Sequence, residues 1–274
     1  MSDLMEHEPA AALVWDGLCP GCGEIGEAAR GVMRCVDCGT LWVAARRDYQ
    51  YDDSCPTLRG HDDAAIAACK IRTFEHWCRR LDTGLVGQRV LEVGFGGGPT
   101  LAWMRDQGAQ VSGVEPVAAN RAMAIRAGIP EANVRPRLAD FEGSQFDLVF
   151  YLDSFEHETE PAAHLATLDR LTRPGSRAML VLPVADSLSR RVLGRWWPHD
   201  IQDHWVFWST AGLVRLWNDH GWQLTSTFHP SKYLSASTIT RHWELKTRIP
   251  LPPVPRRAAV WLNFGERGLI FEKC

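Results

Sequence analysis

The chain lacks any apolar run long enough to cross a bilayer, which excludes a membrane-spanning helix. Residues 1–16 are acidic and carry no basic stretch ahead of an apolar core, so no secretory signal pattern is present and a cytoplasmic protein is expected. A basic surplus is missing as well. Lys and Arg total 30 against 33 Asp and Glu, a net charge of −3, which argues against a protein that binds by neutralising many phosphates. The short basic runs, Arg190-Arg191 with Arg195 and Arg256-Arg257, read as solvated surface or helix-end charge. There are no internal repeats. What remains is an ordinary globular composition, 45% hydrophobic and 23% charged over 274 residues, enough for one large domain or a domain and a half.

Eight cysteines fall into two groups. Cys19-x2-Cys22 and Cys35-x2-Cys38 form two pairs with twelve residues between them, while Cys55, Cys69, Cys78 and Cys274 are isolated. In a reducing compartment such pairs indicate metal rather than disulfides, with a redox dithiol as the other reading. Gly23 and Gly39 follow the pairs and permit tight turns whose amides point at thiolate sulfur. Four thiolates close a tetrahedral site and leave no place for substrate, which makes a zinc there structural. Residues 18–45 therefore read as a zinc ribbon of two short hairpins and a strand over 40–44, too small to fold without its metal. Docking of a protein partner, docking of substrate and self-association are the three roles open to it.

A flexible tail is expected over 1–17 and a polar link over 46–60. A helix follows over 62–81, in which Ile66, Cys69, Ile71, Phe74, Trp77, Cys78 and Leu81 recur at three- and four-residue steps. Cys69 and Cys78 belong to that apolar stripe. From residue 88 to the C-terminus strands and helices alternate, which predicts a parallel, doubly wound α/β sheet.

The most informative stretch is Val90-Leu91-Glu92-Val93-Gly94-Phe95-Gly96-Gly97-Gly98, an apolar strand ending in an acid and then glycines at alternate positions. Glycine there tolerates positive φ and lets a ligand approach bare backbone. Pro99 can open a helix whose first-turn amides face that ligand. A second strand, 110–115, ends in Glu115, 23 residues after Glu92 and well placed for a ribose diol. Asp140-Phe141, the strand 146–150, Tyr151-Leu152-Asp153-Ser154-Phe155-Glu156-His157 and Leu171-Thr172-Arg173-Pro174-Gly175 follow in order.

The series E-x-G-x-G-x-G and its successors over about residues 85–185 resembles the class I S-adenosylmethionine (SAM) methyltransferases. The resemblance implies a Rossmann-like seven-stranded sheet whose last strand runs antiparallel between the fifth and sixth, with SAM as cofactor. It implies that Gly94, Gly96 and Gly98 border the methionine and ribose, and that Glu115, with Pro116 beside it, holds the ribose diol. Asp140 and Phe141 flank the adenine, Glu92 orders the glycine loop and reaches the amino group, and Tyr151 and Leu152 edge the cleft. Asp153-x-x-Glu156-His157 is similar to the E-x-x-E-H stretch of ubiquinone-biosynthesis O-methyltransferases, where those side chains can hold a divalent cation. Aspartate replaces the first glutamate here, and hydrogen bonding within the loop or a pocket role without metal are the other readings.

Between the fifth strand and the next helix, 185–208 reads as an aromatic cap. Six of the twelve tryptophans lie between Trp196 and Trp222; most are expected to pack, with Trp196-Trp197 placed to line a pocket. His199-Asp200-x-x-Asp203-His204 precedes a helix over 210–220, capped by Ser209 and stopped by Gly221. Histidine titrates near neutrality and suits proton removal, so His204, His157 and Asp153 are the candidate catalytic residues, with bracing of the helix as the other role for His204. The leading expectation is methyl transfer to a small-molecule acceptor, most simply a hydroxyl. An RNA methyltransferase is disfavoured because residues 18–45 hold only Arg30 and Arg34 as bases. A non-catalytic interaction protein is disfavoured by intact glycines and acids at each cofactor position.

Overall fold

The computed structural model describes residues 17–29, 32–43, 64–201, 204–236, 238–240, 244 and 259–274. The tail over 1–16, the link over 46–60, Asp203, Arg256-Arg257 and the proline-bearing stretch over 245–258 lie outside the described residues.

The Val/Leu-rich segment before the glycines forms β4 (Arg89–Val93), in which Val90 and Leu91 are fully buried on opposite faces. It pairs in parallel with β5 (Gln110–Val114) and β7 (Phe146–Leu152). Outside these lie β6 (Val134–Arg135), beside β5, and β8 (Thr172–Pro183), beside β7, both parallel. The last strand, β13 (Glu266–Lys273), enters antiparallel between β8 and β10 (Trp222–Phe228). The order β10-β13-β8-β7-β4-β5-β6 is thus the doubly wound sheet that the alternation of strands and helices predicts, with the reversed final strand that the resemblance implies.

Helices α1 (Ala64–Cys78), α2 (Pro99–Asp106), α3 (Ala118–Arg126), α4 (Pro161–Arg170) and α6 (Thr210–Asp219) accompany the sheet, with a short α5 (Leu188–Leu193) between β8 and α6. Pro99 starts α2, where its missing N–H costs nothing. Ser209 caps α6 by accepting from the Gly212 amide at 2.9 Å, and Gly221, at φ 79°, follows its end. Among the described residues helix α1 spans Ala64–Cys78 and presents Thr73, Phe74 and Trp77 as its buried face. None of the helices among the described residues is long and apolar enough to cross a membrane.

The cysteine-rich segment expected as a ribbon over 18–45 pairs with a strand beyond those bounds. Its strands β1 (Gly26–Ala29), β2 (Val32–Cys35) and β3 (Leu41–Trp42) continue into β9 (Val206–Phe207), giving one sheet in the order β1-β2-β3-β9. Trp42 is fully buried in the same apolar cluster as Leu91, Trp208 and Trp217. The expected aromatic cap is therefore partly the ribbon's own fourth strand. Trp196 and Trp197 part company: Trp197 is buried with its indole N–H donating to the Phe264 carbonyl, while Trp196 is 52% exposed. Arg190 is no free surface charge either, since it donates to the Ala185 carbonyl and lies over the Trp197 ring.

Candidate functional site

The glycine turn leaves the C-terminal end of β4 with Gly94, Gly96 and Gly98 at φ 75°, 59° and 78°, all in the left-handed region. At Gly94 a Cβ would stand 2.6 Å from the Ser154 Cβ, so the β4 and β7 ends close on each other only because that side chain is missing. The Glu115 carboxylate, at the end of β5 and 3% exposed, accepts from the Gly96 amide at 2.8 Å and the Val117 amide at 3.0 Å. Burial raises its pKa against the pull of those two amides. Pro116, beside it, is exposed, and its carbonyl accepts from Arg121.

Glu92 is buried at the base of the turn, where one oxygen accepts from the Thr100 hydroxyl at 2.5 Å and the other has no hydrogen-bond partner among the described residues. Burial lifts its carboxyl to about 7, and the Thr100 hydrogen bond opposes that rise. A buried carboxylate with an open lone pair, beside bare glycine backbone and a diol-sized acceptor at Glu115, fits the amino and ribose groups of SAM.

Two of the residues expected at the cofactor serve the core instead. Tyr151 is fully buried, with its hydroxyl 2.8 Å from His164 Nε2 and its ring against Phe155 and Trp217. On a strand, neighbours face opposite ways, so Leu152 turns away from Tyr151 and is half-buried against the cluster that holds Phe74 and Phe150. Phe141 packs edge-on against Phe146, and Asp140 pairs with Arg137 at 3.0 Å within the turn over Leu138–Phe141.

Asp153 follows β7 and is the single non-glycine residue with positive φ, 54°, among the described residues. Its carboxylate is held by the Lys232 ammonium at 2.6 and 2.7 Å. Lys232, on β11 (Lys232–Ser235), is also 3.0 Å from Glu266, which in turn lies 3.1 Å from His199 Nε2. Burial works against the Lys232 charge, but Asp153 and Glu266 outweigh it and keep its pKa above the usual lysine range.

The ion pair redraws the expected cation set. The potential ligand atoms that gather within 4.8 Å of one another belong to Glu156, His157 and His204, not to Asp153, Glu156 and His157. His204 is buried, with Nε2 3.8 Å from Glu156 Oε1 and its ring 4.9 Å from that of His157. Burial, then the neighbouring His157 and His199, push the His204 pKa well below the usual histidine value, so the ring is neutral at physiological pH.

In the ribbon the four cysteine sulfurs also lie within 4.8 Å of one another. The Gly21 amide points at Cys19 Sγ and the Cys38 amide at Cys35 Sγ, both at 3.4 Å, as the glycine-following knuckles predict. Contact with the Cys19 sulfur at 3.6 Å, then with the Thr40 hydroxyl at 3.3 Å, pushes the Cys38 thiol down, and the same sulfur contact pushes Cys19 up.

A seven-stranded sheet with a reversed last strand, a left-handed glycine turn after its central strand and a carboxylate at the tip of the next define the class I methyltransferase architecture. A family model described as a methyltransferase domain matches residues 65–227, and the chain belongs to that family. The chain is 32% identical over 160 residues to a ubiquinone biosynthesis O-methyltransferase of Aeromonas salmonicida, covering 51% of this chain and 65% of that protein. It is 32% identical over 104 residues to one of Pseudomonas aeruginosa, covering 35% and 45%. The chain thus spans between 45% and 65% of the length of these curated relatives. Among solved structures, magnesium protoporphyrin IX methyltransferase from Synechocystis PCC 6803 with bound SAH shares the fold at a TM-score of 0.50, with 17% identity over 77% of this chain and 84% of that one.

Proposed function

We propose that the chain transfers the methyl group of SAM to a hydroxyl of a small-molecule acceptor. The observation that carries this reading is the Glu115 carboxylate clasping the Gly96 amide beside left-handed Gly94 and Gly98. The kinship with O-methyltransferases of ubiquinone biosynthesis supports the oxygen acceptor. SAM, when bound, supplies a methyl on a sulfonium that leaves as a neutral thioether, so the chain's residues need only orient the acceptor and take its proton. Glu115 holds the ribose diol, Glu92 faces the amino group, and Leu152 borders the cleft.

On the acceptor side, His157 is the more open imidazole and His204 stands behind it. A neutral His204 can accept a proton, directly or through His157, and Glu156 steadies the charge that results. A divalent cation at Glu156, His157 and His204 would polarise the acceptor oxygen in place of that base. Asp153, held by Lys232, lines the same wall. We further infer that Cys19, Cys22, Cys35 and Cys38 hold a structural zinc, which their mutual spacing and amide contacts support.

Calorimetric titration with SAM and S-adenosylhomocysteine, with zinc quantified on the same sample, tests the reading. Micromolar binding and one zinc per chain are expected; a folded, zinc-loaded protein that binds neither ligand overturns it. Gly96→Trp is expected to abolish binding, whereas His204→Ala keeps it and lowers kcat on an acceptor by about 100-fold. Unchanged turnover in the histidine variant removes His204 from the mechanism.

The Glu92 pKa gives a pH dependence of known sign. Above pH 7 the carboxylate is charged and attracts the ligand's ammonium; below it the group is protonated. S-adenosylhomocysteine affinity should therefore fall by up to about ten-fold from pH 8 to pH 6, and Glu92→Gln should flatten that slope. An equal slope in the variant would assign the titration to another group.

A further inference from the structure

The ribbon and the acceptor wall share hydrogen bonds at three successive levels. Trp42 pairs with Val206 and Leu41 with Phe207 in the β3–β9 ladder. One step along, the Val43 amide donates to the Trp205 carbonyl at 3.1 Å, and the Trp205 amide donates to the Glu156 carbonyl at 3.1 Å. His204 is the residue just before Trp205. The third level is Thr40, whose hydroxyl oxygen is 3.3 Å from Cys38 Sγ, accepts from the Ser209 amide at 3.3 Å and lies 3.1 Å from the Ser209 hydroxyl. Ser209 in turn caps α6.

The Gly212 backbone lies bare against the Thr40 and Cys38 side chains and against the Gly21 backbone. A Cβ on Gly212 would fall within 2.2 Å of the Thr40 hydroxyl and 3.1 Å of Cys38 Sγ, and one on Gly21 would meet the Gly212 carbonyl at 3.1 Å. Among the described residues the cofactor side has no such tie to the ribbon: Glu92, Gly94, Gly96 and Glu115 bond within β4, β5 and the segments next to them.

From these contacts, and resting on the zinc reading above, we propose that the four-cysteine knuckle positions the acceptor half of the site, through Thr40 and β9, while the cofactor half stands without it. The metal fixes the direction of the hydrogen bonds. A free Cys38 thiol donates to the Thr40 oxygen, whereas a zinc-bound thiolate can only accept. Thr40 then donates its proton to Cys38 and turns both lone pairs of its oxygen to Ser209. Zinc loading thereby completes the Ser209 cap and holds 204–212 in register, with His204 at its start and the Glu156 carbonyl bonded to the Trp205 amide. Thr40 and Cys38 are positioning residues in this scheme, for neither touches cofactor or acceptor.

The test uses the full-length protein, zinc-loaded and after removal of zinc by a chelator. Amide hydrogen exchange, S-adenosylhomocysteine calorimetry and the histidine ring resonances are read on both forms. Zinc removal is expected to speed exchange over 205–212 by about ten-fold or more, while ligand affinity stays within about two-fold. The His204 ring signals should shift, those of exposed His76 should not, and added zinc should reverse both effects. Thr40→Val should keep one zinc per chain and still speed exchange at Ser209–Gly212, an effect that simple loss of a metal staple would not give. Unchanged protection over 205–212 overturns the proposal. So does loss of ligand binding together with protection throughout the central sheet, since the ribbon would then be needed for folding as a whole. A protein that purifies folded but without metal fails the zinc reading itself, and the proposal with it, even if it binds S-adenosylhomocysteine.

Discussion

Glu115→Ala should weaken S-adenosylhomocysteine binding by about 100-fold or more, measured by calorimetry, while leaving the protein folded and zinc-loaded. Two losses add. The carboxylate is the acceptor expected to take the ribose diol, and charge-assisted hydrogen bonds of that kind contribute about 1.5–3 kcal/mol each. The same carboxylate is bonded to the Gly96 and Val117 amides, so its removal also loosens the glycine turn that the cofactor must sit on. Glu115→Gln separates the two. It keeps an oxygen for one amide but turns an NH2 group towards the other, which already donates, so it should recover only part of the loss. Near-native affinity in the alanine variant would remove Glu115 from the cofactor site and with it the main support for SAM.

That cofactor half could be foreseen because its residues are close in sequence and each has a local physical reason. Glycines at alternate positions predict left-handed backbone, and all three are left-handed. Strands alternating with helices predict a parallel sheet covered on both faces, and β4, β7 and the second half of β8 are so covered. The reversed final strand came with the resemblance and not from periodicity. What could not be read was direction. Tyr151 and Leu152 both end β7, but only the packing of Trp217 and the His164 hydrogen bond send Tyr151 to the core. Phe141 likewise turns to Phe146.

The acceptor half was less legible because it is assembled across the chain. Lys232 meets Asp153 from 79 residues away, and a lone lysine in a proline-bearing excursion carries no signal of that. Its partnership draws Asp153 out of the expected cation set and leaves His204 to complete the cluster. The convergence of the four cysteines was legible in their spacing, yet the docking of their segment was hidden. A two-residue strand such as β9 has no periodicity, and the demand that Gly212 makes on Thr40 is one of shape.

Lys232→Met should lower stability at pH 8 by about 3 kcal/mol, with a drop in Tm on the order of 10 °C. Lys232 is 14% exposed at its side chain and Glu266 3%, so the pair is largely out of water. Methionine keeps the aliphatic bulk and removes the ammonium, which leaves Glu266 with the Phe264 amide at 2.8 Å and the His199 ring as its remaining partners. Breaking one side of a buried pair costs more than the pair itself contributes, because the orphaned charge stays behind. The sign of the pH dependence follows. In the native protein burial opposes the Glu266 charge, but Lys232 and His199 hold its pKa far below the usual carboxylate range. Its stabilisation is fully present above the unfolded value of about 4.3 and is lost only as pH falls through the depressed folded value. Lys232, raised in the folded state, keeps its contribution below the unfolded value of about 10.4. Between pH 8 and pH 5 the native pair therefore adds no slope. Without the ammonium, burial raises the Glu266 pKa, the carboxyl takes up a proton as pH falls, and the penalty shrinks towards pH 5. Pairing Lys232→Met with Glu266→Gln should recover much of the loss at pH 8. A stability gap that stays constant from pH 8 to pH 5 and survives the double substitution would mean that Lys232 acts there through packing, not through its charge.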